Sequence, residues 1–176
     1  MRLFVGIPLD NAAREALARS IADLKHRLHT LRWSSPESWH ITLQFLGNVR
    51  NDTMPAIAAQ LAGVHASAMR LRITELDFFD RAGILFAAVH LSPELEGLQQ
   101  RVVSEMATLG FQPELRPYSP HITLARRKGR DPSRILIPRR RIGQGFSANR
   151  FLLYQSFTES AGAHYAELRS FALAEK

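Results

Sequence analysis

Two identical tetrapeptides contain the residues of this chain that are best suited to chemistry. The sequence His-Ile-Thr-Leu occurs at residues 40–43 and again at residues 121–124. In an extended strand, alternate side chains point to opposite faces, so the histidine and the threonine share one face, about 6–7 Å apart, while the isoleucine and the leucine enter a core. An imidazole and a hydroxyl at that separation suit one small anion held between them.

Two such strands facing each other would present two imidazoles and two hydroxyls to one cavity. A single half-buried histidine on a strand is usually structural, and only the pair favours a functional interpretation. Imidazole titrates near neutral pH and can either give or take a proton. The eight residues of the pattern are His40, Ile41, Thr42, Leu43, His121, Ile122, Thr123 and Leu124.

A metal site is the main alternative for paired histidines. Catalytic zinc usually takes three protein ligands, often two histidines one helical turn apart and a third group. Each tetrapeptide holds one histidine with no carboxylate beside it, and His164 is the only further candidate late in the chain. The sequence therefore predicts no metal and no cofactor.

Strands interleaved with helices must position the two tetrapeptides. Alternating or apolar runs predict strands at 2–7, 39–46, 69–76, 84–91, 122–125, 135–138, 151–156 and 165–173. Helical spacing of apolar residues predicts helices at 11–29, after Thr53, and from Ser92 to Leu109, while residues 32–38 form a turn-rich connector. Because 69–76 and 84–91 are separated by a short turn, they form an antiparallel hairpin, and the class is α+β.

Composition limits the possible functions further. The chain has 176 residues, 45% of them hydrophobic, enough to bury the core of one domain or of two closely packed lobes. It contains no cysteine, which excludes disulfides, thiol nucleophiles and cysteine-ligated metal sites. No apolar run is long enough for a signal peptide or a membrane span, so we expect a cytoplasmic protein.

The net charge of +7 and the pI near 10.7 favour a polyanionic partner, above all nucleic acid. Eight basic residues lie between positions 126 and 141, interrupted by one acid, Asp131. They either contact such a partner or form a solvated loop. Beside the turn of the predicted hairpin, Phe78 and Phe79 either belong to the core or stack a nucleobase at the rim of a cavity. The basic residues are Arg126, Arg127, Lys128, Arg130, Arg134, Arg139, Arg140 and Arg141.

The stretches His-Ile-Thr-Leu-Gln-Phe-Leu-Gly from His40 and Pro-His-Ile-Thr-Leu-Ala-Arg from Pro120 resemble the two signature motifs of the 2H phosphoesterase superfamily. Three further features are similar to one branch, the RNA 2′,3′-cyclic phosphodiesterases once called 2′-5′ RNA ligases. They are the opening Arg-Leu-Phe-Val from Arg2, the Arg-Trp pair at Arg32 with the following Pro-Glu, and the Leu-Tyr-Gln-Ser run from Leu153. The similarity covers essentially the whole chain.

This resemblance implies one domain, residues 1–176, made of two pseudo-symmetric lobes, each with an antiparallel sheet and one motif facing a central cleft. It implies a metal-independent hydrolysis of RNA 2′,3′-cyclic phosphate ends to 2′-phosphates, with His40 as proton donor and His121 as proton acceptor. Thr42 and Thr123 would bind the phosphate. The family also joins tRNA halves reversibly through 2′-5′ bonds, so RNA ends and tRNA fragments are the expected partners of what we expect to be a monomer.

Residue spacing alone does not assign the acid and the base, because the two tetrapeptides are identical. Arg126 follows Thr123 by three residues, within reach of a bound phosphate, and is a further candidate for stabilising its charge. Two other functions remain open: a related enzyme acting on another small cyclic phosphate or on 2′-5′-linked oligonucleotides, and a non-catalytic RNA-binding module. Intact histidines in both tetrapeptides argue against the module.

Overall fold

The computed structural model describes residues 1–129, 137, 140–159 and 162–175. Within them the chain forms three α-helices and nine strands. The helices are α1 (Asn11–Arg27), α2 (Met54–Ala62) and α3 (Pro93–Thr108). The strands are β1 (Arg2–Pro8), β2 (Leu31–Trp33), β3 (His40–Asn48), β4 (Met69–Phe79), β5 (Ile84–Val89), β6 (His121–Arg127), β7 (Arg141–Ala148), β8 (Arg150–Glu159) and β9 (Gly162–Ala172).

All nine strands belong to one antiparallel sheet, ordered β7-β4-β5-β6-β3-β1-β8-β9, with β2 paired to β6. The predicted α+β class is therefore confirmed. The two predicted sheets meet where β3 pairs with β6 through one partner pair, Ile41 with Ile122. Four strands of this order lie on each side of the junction, and each side carries one tetrapeptide at the junction itself.

The helices bury their apolar faces in a core shared with one face of the sheet. On α1, Ala13, Leu17, Ile21 and Leu24 are buried, at the helical spacing that the sequence shows. The side chain of Asp10 caps α1 and that of Ser92 caps α3, each by accepting a hydrogen bond from a backbone N–H of the first turn. No helix among the described residues is both long and apolar enough to cross a membrane.

Two elements depart from the sequence expectations. Residues 32 and 33, predicted as part of a connector, form β2 together with Leu31, because their backbone pairs with that of β6. Residues 141–148 form β7 against β4, whereas the sequence predicted a strand earlier, at 135–138. Of that predicted strand only Ile137 lies within the described residues, and it is not in a strand. The glycines at 143 and 145 obscured the alternation of β7.

Candidate active site

The junction of β3 and β6 brings the two tetrapeptides together on one face of the sheet. Ile41 and Ile122 are partners in this antiparallel pair and both are fully buried. The register therefore places His40 beside Thr123, and Thr42 beside His121, on the face opposite the two isoleucines. The side chains of these four residues are half-buried. We call this face of the sheet the cleft face.

A hydrogen bond holds the segment that leads into the second tetrapeptide against the first. The hydroxyl of Tyr118 donates to the carbonyl oxygen of Thr42 at 3.0 Å, across 76 positions of sequence. Burial raises the pKa of Tyr118, which keeps this hydroxyl protonated as a donor. The approach to His121 is thereby attached to the strand that carries His40.

Each tetrapeptide has a β-bulge at its last residue. Val5 and Gly6 on β1 pair with Gln44 and Thr42, so the register passes over Leu43. On β6 the partners of β5 are Ala125 and Thr123, so Leu124 is passed over in the same way. A bulge reverses the alternation of side chains beyond it. The bulges therefore turn the fifth residue after each histidine towards the cleft face.

The two residues that the bulges turn to the cleft face are chemically different. In the first half the residue is Phe45, whose side chain is 54% exposed, and in the second half it is Arg126, also exposed. Regular alternation would have placed both on the face opposite the threonines. The predicted phosphate contact of Arg126 thus has a geometric basis that the sequence spacing alone did not supply.

His40 lies in an aromatic box. Its ring centroid is 4.6 Å from that of Phe4, 5.0 Å from that of Tyr165 and 5.5 Å from that of Tyr154. The close approach depends on Gly6, where an added Cβ would lie 2.9 Å from the Ile41 carbonyl oxygen and 3.4 Å from Cδ2 of His40. Burial is the main cause that lowers the pKa of His40 to about 4, and the charges of His121 and Arg126 lower it further.

His121 has different neighbours. Its ring centroid lies 5.3 Å from that of Phe86 and 5.3 Å from that of Phe79, edge to face with both. Phe86 pairs with Thr123 on the strand beside the motif, as Gly6 pairs with Thr42 in the other half. A phenylalanine therefore stands in the second half where a glycine stands in the first.

Both histidines make the same backbone contact two residues earlier. Nδ1 of His40 lies 2.8 Å from the Ser38 carbonyl oxygen, and Nδ1 of His121 lies 2.8 Å from that of Ser119. Because a carbonyl oxygen only accepts, Nδ1 carries the hydrogen in each contact. The remaining ring nitrogen, Nε2, is then an acceptor when the ring is neutral and a donor when it is protonated. One of the two rings can therefore accept a proton while the other donates one.

A second arginine that sequence reasoning missed lies beside Arg126. Arg32 on β2 is the direct antiparallel partner of Arg126, and both side chains are exposed. Like charges directly opposite each other on paired strands repel. No salt bridge to either guanidinium is found in the part of the chain that the structure describes. Only the pairing of β2 with β6 reveals this cationic pair, because the two arginines are 94 positions apart in sequence.

The described residues of the predicted basic segment make different contacts. Arg140 forms a two-pronged ion pair with Asp23 of α1, with N–O distances of 2.6 and 2.9 Å, and its hydrogen bond lowers the pKa of Asp23 to about 2. The guanidinium of Arg127 lies 5.5 Å from the ring centroid of Phe78. Arg130, Arg134 and Arg139 lie outside the described residues. Part of the charge is therefore used within the fold.

Residues from neighbouring strands complete the site beyond the two motifs. Phe4, Tyr154 and Tyr165 surround one histidine, and Phe79 and Phe86 flank the other. The sequence indicated some of these residues only indirectly: the runs that contain Phe4 and Tyr154 carry the family resemblance, and Phe79 was a candidate either for the core or for the rim of a cavity. No sequence signal indicated Phe86 or Tyr165. No group of three or more metal-ligating side chains is found among the residues described.

Comparisons with known proteins identify the family of this chain. The family model described as the 2′-5′ RNA ligase superfamily matches residues 12–155. A protein of Archaeoglobus fulgidus named RNA 2′,3′-cyclic phosphodiesterase is 28% identical over 97% of this chain and 99% of its own length. One of the same name from Thermus thermophilus is 30% identical over 98% of this chain and 90% of its length. A match of 33% identity with the protein of that name from Geobacillus stearothermophilus spans 41% of that protein.

Solved structures show the same fold. The crystal structure of TT0787 of Thermus thermophilus superposes with a TM-score of 0.86 at 25% identity, covering the whole of both chains. Apo LigT of Escherichia coli superposes with a TM-score of 0.82 at 25% identity, covering 98% of this chain and 97% of that one. The resemblance named from the two motifs is confirmed, and the chain belongs to the 2′-5′ RNA ligase superfamily of 2H phosphoesterases.

Proposed function

We propose that the protein hydrolyses 2′,3′-cyclic phosphate ends of RNA to 2′-phosphates without a metal ion. The observation that carries the proposal is the β3–β6 register, which brings His40, Thr42, His121 and Thr123 onto one face with Arg126 beside them. The relatives named RNA 2′,3′-cyclic phosphodiesterase support the substrate class. The whole chain, residues 1–176, acts as a single domain whose two lobes each supply one motif.

The mechanism uses one histidine on each side of the phosphate. His121 takes a proton from the attacking water, and His40 gives a proton to the ribose 3′ oxygen as its bond to phosphorus breaks. Each positioned proton transfer contributes about 10²- to 10⁴-fold in rate. Thr42 and Thr123 donate hydrogen bonds to the non-bridging phosphate oxygens, and Arg126 stabilises the charge that develops on them.

The pKa of His40 must rise when the substrate binds, because a histidine that donates a proton has to be in its charged form. Raising this pKa from about 4 to near 7 requires about 4 kcal/mol of favourable interaction with the charged ring. A phosphate anion about 4 Å away supplies about 4 kcal/mol at an effective dielectric constant of 20. The anionic substrate therefore favours the protonated form of His40 by an energy of the size that is required.

RNA is the expected substrate because the cleft face carries both stacking surfaces and positive charge. Phe45 is exposed next to Phe4, at a ring-centroid distance of 5.9 Å, and can stack a nucleobase. Arg32 and Arg126 supply cations for the backbone. Joining tRNA halves through a 2′-5′ bond is the same displacement, in which a ribose 5′ hydroxyl attacks the cyclic phosphate in place of water and the 3′ oxygen leaves.

The test is turnover of a short RNA that ends in a 2′,3′-cyclic phosphate, measured with EDTA from pH 5 to 9, with the product phosphate located afterwards. We expect a bell-shaped profile, a 2′-phosphate product, and losses of about 10²- to 10⁴-fold in both His40→Ala and His121→Ala. His26→Ala, an exposed histidine at the end of α1, is the matched control and retains full activity. Absence of turnover by folded wild-type protein would refute the proposal and favour another cyclic phosphate.

A second experiment assigns the acid and the base. A substrate with sulfur in place of the bridging 3′ oxygen has a leaving group that needs no protonation. If His40 is the acid, this substrate restores turnover to His40→Ala but leaves His121→Ala inactive. Restoration of His121→Ala alone would reverse the two roles.

A further inference from the structure

A row of cleft-face side chains extends from the strand of the second motif, β6, across β5 to β4. Ile84 on β5 pairs with Arg126 on one side and with Phe79 on β4 on the other. Direct partners in antiparallel strands point to the same face, so Phe79, Ile84 and Arg126 lie side by side. The row ends at an exposed aromatic ring and begins at the arginine assigned to the phosphate.

Phe79 is placed to receive a flat ligand, whereas its neighbour Phe78 is not. One face of Phe79 is stacked on Phe86 at a centroid distance of 4.0 Å, its edge contacts His121, and 37% of the residue remains exposed. Phe78 packs against the core and is covered by the Arg127 guanidinium. Of the two alternatives open at the sequence level, Phe78 thus takes the core role and Phe79 remains available for stacking.

The position of Phe79 relates it to one side of the reaction. In-line displacement places the entering and leaving groups on opposite sides of phosphorus. Phe45 lies in the half that carries His40, the proton donor to the leaving oxygen, and Phe79 lies in the half that carries His121. A group that enters or leaves beside His121 therefore passes next to the exposed ring of Phe79.

We propose that Phe79 stacks the base of a second nucleoside, the one whose 5′ oxygen occupies the place of the attacking water. This inference rests on the proposed function. The corresponding substrate is a 2′-5′-linked phosphodiester. Its 3′ hydroxyl attacks phosphorus and passes its proton to His40, while the P–O5′ bond breaks and the 5′ oxygen takes a proton from His121. The products are a 2′,3′-cyclic phosphate and a free 5′ hydroxyl, and the reverse reaction joins them.

The test is a binding ratio that does not depend on turnover. The probes are a 2′-5′-linked diadenosine monophosphate and the methyl ester of adenosine 2′-phosphate, both lacking the 3′ hydroxyl so that neither can cyclise. They carry the same charge and differ only in the second nucleoside. Calorimetric titration of the wild-type protein should give the dinucleotide a dissociation constant about 5- to 100-fold lower than that of the methyl ester.

Three variants decide whether Phe79 is responsible. Phe79→Leu keeps an apolar side chain against Phe86 and should reduce the ratio to about 1, whereas Phe79→Trp should preserve it. Phe157→Leu is the matched control, since Phe157 is also 37% exposed and stacks on His164 rather than beside the motifs, and it should leave the ratio unchanged. Circular dichroism verifies the fold of each variant.

Two outcomes would overturn the inference: a ratio near 1 in the wild type, or a Phe79→Leu ratio equal to that of the wild type. Failure of the proposed function is seen separately, as absence of cyclic phosphate hydrolysis. The binding ratio can be measured whether or not the protein hydrolyses a cyclic phosphate. The binding ratio therefore tests the role of Phe79, and the hydrolysis assay tests the proposed function.

Discussion

Replacing Gly6 with alanine should displace His40, the proposed proton donor, without removing any side chain of the site. Gly6 lies on the strand beside the first motif, and its missing side chain leaves room for the ring of His40. A Cβ there would lie 2.9 Å from the carbonyl oxygen of Ile41, 3.4 Å from Cδ2 of His40 and 3.5 Å from Cε2 of Tyr154. The first of these is a backbone atom, so it cannot move aside by a change of rotamer.

The size of the effect follows from that shortest contact. Non-bonded heavy atoms attract best at about 3.5–4.0 Å, so β1 and β3 must separate locally by about half an ångström. A misplacement of about 1 Å costs on the order of 10²-fold in rate, and half of that displacement predicts a loss of about 10-fold in kcat. Overpacking of this kind also lowers the free energy of unfolding by about 1–3 kcal/mol.

The assay is steady-state hydrolysis of a 2′,3′-cyclic phosphate, with thermal denaturation to confirm that the variant is folded. Gly145→Ala is the matched control, because it is also a strand glycine and its added Cβ would meet the flexible end of Arg70 at 3.3 Å and a backbone oxygen only at 3.7 Å. We expect normal kcat in the control and a reduced kcat, with little change in KM, in Gly6→Ala. A folded Gly6→Ala protein with wild-type kcat would refute the idea that this glycine positions His40.

Three further outcomes follow from the structure. Inorganic phosphate should raise the pKa of His40 from about 4, because the anion stabilises the charged ring, and NMR titration of the ring protons with and without phosphate measures the change. Arg32→Ala should weaken binding of a long RNA by several-fold more than binding of a mononucleotide. Arg140→Ala should mainly lower the Tm, because Arg140 is paired with Asp23. Equal losses of RNA affinity in the two variants would contradict this. The buried side chain of Gln44 has no hydrogen-bond partner among the described protein groups, so Gln44→Met should raise the free energy of unfolding by about 1 kcal/mol in urea denaturation.

The sequence was sufficient for the parts of the site that local pattern controls. Alternation within each tetrapeptide correctly placed Ile41 and Ile122 in the core and left the histidines and threonines on the other face. The sequence did not predict the features of the site that depend on the register between paired strands. The bulge that turns Arg126 to the cleft face arises from the register in which β5 pairs with β6. The pairing of Arg32 with Arg126 depends on β2, a three-residue strand whose sequence resembles a connector.

The two motifs differ in their surroundings although their residues are identical, and this difference is a physical basis for dividing the work between them. Gly6 allows the ring of His40 to sink between Phe4, Tyr154 and Tyr165, where burial favours the neutral form until an anion arrives. Phe86 occupies the corresponding position beside His121, where its side chain keeps the His121 ring from lying as close to β5 as the His40 ring lies to β1. A histidine whose charge depends on the bound phosphate is suited to the proposed role of donating a proton only in the complex. The neighbours Gly6 and Phe86 differ, whereas the histidines are identical. Exchanging Gly6 and Phe86 should therefore alter which imidazole acts as the acid.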